Sequence, residues 1–232
     1  MLLVSPNNPT GSFVTSGELE RLAGLCAARG LALVADEVFA DYELTPGTRA
    51  SAGRMVERRG VLMISLGGLS KTVGLPQVKL AWIAAGGPPE LVDPALERLE
   101  LVCDTYLSVS TPVQVAAAEL LDRGAVVREQ IARRVSANYR RLSDDVAAIP
   151  SCRALPSEGG WYAILQVPSF ESEEALVVDL LQRDGVLTHP GYFFDFPRES
   201  YLVVSLLAAE AQFAEGLDRV LRHFDCAVAV HE

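Results

Sequence analysis

VLMISLGGLSKTVGLPQVKLAW, running from Val61 to Trp82, is the stretch that decides the fold. Val61–Ser65 is a short apolar run rich in branched side chains, which predicts a buried strand. Gly67 and Gly68 are expected to break that strand. Ser70 and Lys71 follow the break, and a second apolar run, Leu80–Ala85, comes soon after. A lysine just past a buried strand is unusual, because its ammonium must be desolvated there.

Three readings compete for Lys71. It is a surface loop lysine, the lysine of a phosphate-binding loop, or a lysine that forms a Schiff base with pyridoxal phosphate. The phosphate loop requires Gly directly before Lys, and Ser70 stands there instead. A lysine held in such a place is able to act as an amine nucleophile or base.

The flanking segments build a layer around this strand. Leu2–Val4 leads into Ser5-Pro6-Asn7-Asn8-Pro9-Thr10-Gly11, a turn-forming run. Thr15 and Glu18 have the spacing of a capping box. Leu19, Leu22, Ala23 and Cys26 then recur at helical spacing, and Gly30 stands where a helix-ending glycine belongs. Leu31–Ala35 predicts a second buried strand, ending in Asp36-Glu37, and residues 51–59 a short helix. This alternation signals an α/β layer with a mainly parallel sheet, closed by a strand over Val78–Ala85. Ligands bind beyond the carboxyl ends of the strands in such sheets. Asn8, Asp36 and Lys71 each follow a predicted strand, so they are expected to converge on one site. Taken singly, Asn8 reads as a turn residue and Asp36 as a helix cap.

Residues 88–103, 111–121 and 125–148 read as helices, with Pro112 in a first turn. The arginines of the last stretch, Arg128, Arg133, Arg134, Arg140 and Arg141, are interleaved with Glu129, Asp144 and Asp145 and read as a solvated face. After Pro150 the texture becomes that of a small α+β unit. Its strands are expected at Trp161–Val167, Val186–His189 and Tyr201–Leu206, and its helices at Glu173–Asp184 and Glu210–Phe224. The boundary is placed within the long helix, near residue 125, giving a first domain over 1–125 and a linking helix with a small domain over 126–232.

The 232 residues are half hydrophobic and 22% charged, enough for a packed core. A net charge of −10 argues against nucleic acid or an anionic membrane as partner. No apolar run reaches transmembrane length, and Met1–Val4 lacks the pattern of a signal peptide. Cys26, Cys103, Cys152 and Cys226 are scattered and read as reduced thiols of a cytoplasmic protein. His189, His223 and His231 share no metal-binding spacing.

Five segments, SPNNPTG, DEVFADY, GGLSKTVGLPQVKLAW, SEGGWYAIL and HPGYFFDF, spread from residue 5 to residue 196, carry a resemblance. In order and approximate spacing they resemble the class I/II aminotransferases, fold type I enzymes dependent on pyridoxal 5′-phosphate. The resemblance implies a homodimer that exchanges an amino group between an amino donor and a 2-oxo acid. It implies that Lys71 forms the internal aldimine and later moves the substrate α-proton. Asp36 looks like the carboxylate paired with the pyridine nitrogen, and Asn8 like the hydrogen-bond donor to the ring's 3′-oxygen. Lys79 stands where the family usually has a phosphate-gripping arginine. Tyr106 and Ser108 lie where a neighbouring subunit's residues tend to approach the cofactor, and His189 and Tyr192 beside the substrate; ordinary loop or packing roles are the alternative for each.

The departures carry information too. Phe39 replaces a tyrosine that donates to the 3′-oxygen, and Gly68 a serine that contacts the phosphate. Val203 stands where the family usually has an arginine that clamps the substrate carboxylate. These departures keep open an elimination, decarboxylation or oxidation on the same cofactor. The family's usual N-terminal portion is not found ahead of Asn8, which leaves a non-catalytic remnant, a fragment, a mispredicted start or a chain completed by a partner as further readings.

Overall fold

The computed structural model describes residues 1–49, 55–57, 60–106, 108–198 and 200–231, the last six by backbone alone. It contains two four-stranded sheets. The first holds β1 (Leu2–Val4), β2 (Leu33–Asp36), β3 (Met63–Gly68) and β4 (Ala81–Gly86) side by side in that order. β1, β2 and β3 run parallel, and β4 returns antiparallel to β3.

Helix α1 (Ser16–Ala28) starts at the expected capping box, in which the Thr15 side chain accepts from Glu18 N–H and Glu18 reaches back to the Thr15 backbone. It ends at Arg29, with Gly30 following at φ +60°. Its Leu19 and Cys26 pack on Leu33, Ala35 and Met63, which alternate along β2 and β3. The pairing register puts Leu2, Val34, Ile64 and Ala85 on the opposite face, with Val4, Asp36, Leu66 and Ile83 in the next row. That face is open at both ends of the sheet: Leu2 is 81% exposed and Ile83 44%.

The expected break at Gly67-Gly68 does not occur. β3 runs through both glycines, because Trp82 of β4 lies across from Gly67 and its indole takes the place of a side chain there. A Cβ on Gly67 would come within 2.4 Å of Trp82 Nε1. The chain turns only afterwards, into the single helical turn α2 (Leu69–Thr72) and a 3₁₀ turn over Pro76–Val78. Of the helix expected over 51–59, Met55–Glu57 form one 3₁₀ turn, and 51–54, 58 and 59 lie outside the described residues.

Helix α3 (Pro89–Thr105) follows β4. The helices expected at 111–121 and 125–148 are one, α4 (Thr111–Val146). Gly124 does not divide it, because this glycine is buried against Val73 beside α2. The proposed boundary at residue 125 therefore falls inside a continuous helix.

The second sheet is antiparallel, in the order β5 (Arg153–Ala154), β6 (Tyr162–Gln166), β8 (Tyr201–Ser205) and β7 (His189–Pro190). Helix α5 (Glu173–Asp184) has the bounds expected, with Ser172 as its N-cap. Helix α6 runs from Glu210 to His231. Leu142, Leu165, Leu180, Leu202 and Leu217 form the core between this sheet and α4, α5 and α6. Phe39 and Tyr42, which follow β2, belong to the same core. Asn138 on α4 is buried and donates to the carbonyls of Leu206 and Ala208, both at 2.9 Å.

Among the described residues no helix is long and apolar enough to cross a membrane. Cys26, Cys103 and Cys152 are free thiols, and the side chains of Cys226 and His231 lie outside the described part.

Leu202 is fully buried on the central strand β8, whereas Leu187 is 76% exposed. Leu202→Ala should cost about 2–5 kcal/mol in urea unfolding, and Leu187→Ala no more than about 0.5 kcal/mol.

Candidate active site

Three of the sequence-predicted residues follow parallel strands; β1 and β2 end in register, and β3 runs two residues further. Val4 pairs with Asp36 and Asp36 with Leu66. Asn8 lies just past β1, Asp36 closes β2, and Lys71 lies in α2 directly after β3. β4 runs the other way, and Ala81 pairs with Gly68. Lys79, two residues before Ala81, is thereby returned to the same end of the sheet.

Asp36 is half-buried. Its Oδ1 accepts from Val38 N–H at 3.1 Å, and its carbonyl accepts from Ser5 N–H at 2.9 Å. The backbone bond ties the exit of β1 to that of β2, while Oδ2 makes no hydrogen bond to a described residue. Asn8 is exposed, and its side-chain amide makes no hydrogen bond among the described residues. Lys79 is exposed and shares a hollow of about 390 Å³ with Gln77, Ser108 and Ser110. Tyr106, His189 and Tyr192 are exposed as well.

Lys71 has an aromatic floor. Its Nζ lies 5.0 Å from the ring centre of Trp161 and 5.5 Å from that of Phe39. The ring faces carry partial negative charge and attract an ammonium, an effect of about 0.5–2 kcal/mol. Among the described residues no carboxylate reaches Lys71 within ion-pair distance. The backbone of Lys71 is held from below: the Tyr42 hydroxyl donates to its carbonyl. Tyr42 is fully buried and meets Trp161 edge-on at 5.0 Å; Phe39 meets it edge-on at 5.3 Å. Burial, with Asp41 adding to it, pushes the Tyr42 phenol well above the ordinary tyrosine range, so it remains a donor.

The floor comes from the second half of the chain, and a ladder of backbone bonds sets it in place. Glu158 and Gly159 N–H donate to Gly11 carbonyl at 3.1 and 2.9 Å, and Gly160 N–H to Tyr42 carbonyl at 2.8 Å. Leu44 N–H donates to Glu158 carbonyl at 2.8 Å, and Phe13 N–H to Glu158 Oε2 at 2.8 Å. The segments SPNNPTG, DEVFADY, LSK and SEGGW therefore meet physically. HPGYFFDF is held separately by Glu173, a buried carboxylate that accepts from Tyr192, Ser200 and Tyr201 N–H at 2.8, 3.0 and 2.8 Å.

The sequence marks neither Tyr42 nor Trp161 as a support for Lys71, and marks Glu173 only as a helix start. The signal for Trp161 was the Gly159-Gly160 pair before it, which marks a close backbone approach. Nothing in the spacing announced Tyr42 or Glu173.

On the other face of the sheet, Ser65 Oγ donates to Glu37 Oε2 at 2.5 Å. Burial raises the Glu37 carboxyl above the ordinary range, against the lowering effects of Ser65 and Arg49. The folded chain thus binds this proton more tightly than the unfolded one, and the stability contribution falls as pH rises through the window between the two pKa values. Glu37→Gln should stabilise the chain near neutral pH, and thermal melts should show the gain shrinking below the ordinary carboxylate range; a gain independent of pH would contradict this. Tyr42→Phe keeps the ring but strands the Lys71 carbonyl, and should cost about 1–3 kcal/mol in urea unfolding.

The sequence profile described as aminotransferase class I and II matches residues 1–220. The glutamate-pyruvate aminotransferase AlaA of Haemophilus influenzae is 22% identical over 96% of this chain and 56% of its own length. The aromatic-amino-acid aminotransferase 2 of Thermococcus litoralis is 27% identical over 95% of this chain and 56% of its own. An aminotransferase crystal structure from Escherichia coli superposes with a TM-score of 0.82 at 22% identity, covering 97% of this chain and 56% of that one. The chain spans about half the length of the curated relatives it matches. Its fold is the partial large domain and the small domain of a fold type I aminotransferase, and the chain belongs to the aminotransferase class I and II family.

Proposed function

We propose that this chain carries the cofactor-binding part of a pyridoxal-phosphate-dependent transaminase, which exchanges an amino group between an amino acid or related amine and a 2-oxo acid. The observation that supports it best is the Lys71 amine, set over Trp161 and Phe39 with no carboxylate partner among the described residues. It lies at the sheet end shared by Asn8, Asp36 and Lys79.

The residues present fit the cofactor. Lys71 offers an amine for its covalent attachment. Asp36 keeps one carboxylate oxygen free to face a protonated pyridine nitrogen. Asn8 has an uncommitted amide for the 3′-oxygen. Lys79, beside Ser108 and Ser110, offers a point charge for the phosphate, without the fork of an arginine. Bound there, the cofactor supplies a sink for the electrons freed at the substrate α-carbon. Lys71 holds and moves the proton at that carbon. The aromatic floor excludes water beneath the amine, and Tyr42 fixes the backbone from which the side chain extends.

A division between the cofactor-binding part, 1–125, and the linking helix with the small domain, 126–232, suits this reading. A homodimer fits α3 and α4, where Leu101 is 67%, Tyr106 74% and Val115 80% exposed and no residue of α3 is buried. The free thiols Cys26, Cys103 and Cys152 suit a reducing, cytoplasmic setting.

Val203 favours a second reading. It is fully buried on β8, paired with Ile164 and His189, so this position supplies no cation for a substrate carboxylate. Either another cation holds the carboxylate or the substrate is not an ordinary α-amino acid, and elimination, decarboxylation or oxidation on the same cofactor is the alternative to transfer. Product analysis separates the two: transfer forms a keto acid only with an amino acceptor present, whereas ammonia release without one marks the alternative.

Dialysis after addition of pyridoxal phosphate should leave a visible absorbance band in the wild-type chain and none in Lys71→Ala. A band that persists in Lys71→Ala refutes the assignment of Lys71. Absence of the band in both supports a non-catalytic remnant.

A further inference from the structure

A second cluster of side chains lies far along the chain from Lys71, where α5 packs against α6. His223 on α6 is its centre. Its Nδ1 lies 3.0 Å from Asp184 Oδ2, at the end of α5, and its Nε2 lies 3.9 Å from Asp179 Oδ2, five residues earlier. One ligand atom each from Glu171, Asp179 and His223 stand within 4.8 Å of one another. The side chains of His223, Asp179 and Asp184 are 16%, 24% and 27% exposed, while Glu171 stands in solvent.

The Asp184 contact sets the chemistry of the ring. With Nδ1 donating to that carboxylate, Nε2 is the ring nitrogen left facing Asp179. The 3.9 Å gap to Asp179 is too long for a hydrogen bond. At a tetrahedral ion two ligands each about 2.0–2.2 Å from the metal stand roughly 3.3–3.6 Å apart, so a small side-chain shift brings Nε2 and Oδ2 onto one ion. Arg183 Nε holds the other oxygen of Asp179, Oδ1, at 2.7 Å. Among the described residues it is the only lysine or arginine paired with Glu171, Asp179 or Asp184. Arg219 is spent on the Asp184 backbone carbonyl, at 2.9 Å, and on Glu215.

We propose that Glu171, Asp179 and His223 form a divalent-cation site. One imidazole nitrogen with two carboxylate oxygens suits zinc, with water in the fourth position. Asp184 is the outer partner that fixes the ring, the arrangement common to metal-bound histidines. Three of the four side chains sit on packed helices, which hold them in place, and exposed Glu171 closes on the ion from the solvent side. The ion staples the segment before α5, and α5 itself, to α6.

Isothermal titration of the chelator-treated full chain with zinc sulfate tests this. The expected result is one zinc per chain. Glu171→Gln, at an exposed position that the fold tolerates, should weaken binding at least tenfold, His223→Gln should abolish it, and Asp184→Asn should weaken it about 10–100-fold. No stoichiometric binding would overturn the proposal. Binding unchanged in both Glu171→Gln and His223→Gln would overturn it too, assigning the zinc to other side chains.

Discussion

The hydroxyl of Tyr42 on the carbonyl of Lys71 is the contact on which the rest of the site depends. Lys71 lies in a single helical turn, too short to hold itself. What fixes it is a phenol with no exposure to water and two rings under the amine. A buried phenol stays protonated and donates, and ring faces attract an ammonium without neutralising it as a carboxylate would. The amine is thereby positioned and left available for chemistry.

That arrangement imposes the architecture of the second half. Trp161 belongs to the entry of β6, more than a hundred residues from Tyr42 in the chain. It is carried beneath Lys71 by the bonds from Glu158, Gly159 and Gly160 to Gly11 and Tyr42. Phe39 and Tyr42 in turn leave the first sheet and join the core of the second. The two sheets are thus joined at the site itself, and the long helix α4 spans both, with Gly124 against Val73 and Leu142 in the far core. A substrate held there would be bounded by both halves of the chain.

The parts that sequence made legible are those set by local chemistry. The capping box at Thr15, the glycine after α1, the bounds of α5 and the three parallel strand ends follow from side-chain preferences within a few residues. Asn8, Asp36 and Lys71 stand out in the sequence because strand ends and motif order both point to them, whereas Lys79 is marked by the resemblance alone. What escaped depends on distant partners. Gly67 reads as a strand breaker until Trp82 covers it. The helices expected at 111–121 and 125–148 read as two until Gly124, between them, is buried against Val73. Tyr42, Trp161 and Glu173 look like ordinary residues of a strand exit, a strand entry and a first helical turn. Their roles exist only once residues far apart in the chain are adjacent, as when Glu173 collects the N–H groups of Tyr192, Ser200 and Tyr201. Val203 stands apart: the sequence marked the missing arginine, and the fold shows a core side chain in its place.

The central claim is that one amine, poised over two rings at the sheet end, is where pyridoxal phosphate attaches. Borohydride reduction of the chain with the cofactor, followed by peptide mass spectrometry, tests it most directly. The account predicts a single adduct, on Lys71. An adduct on Lys79 or elsewhere, or no adduct at all, would contradict it.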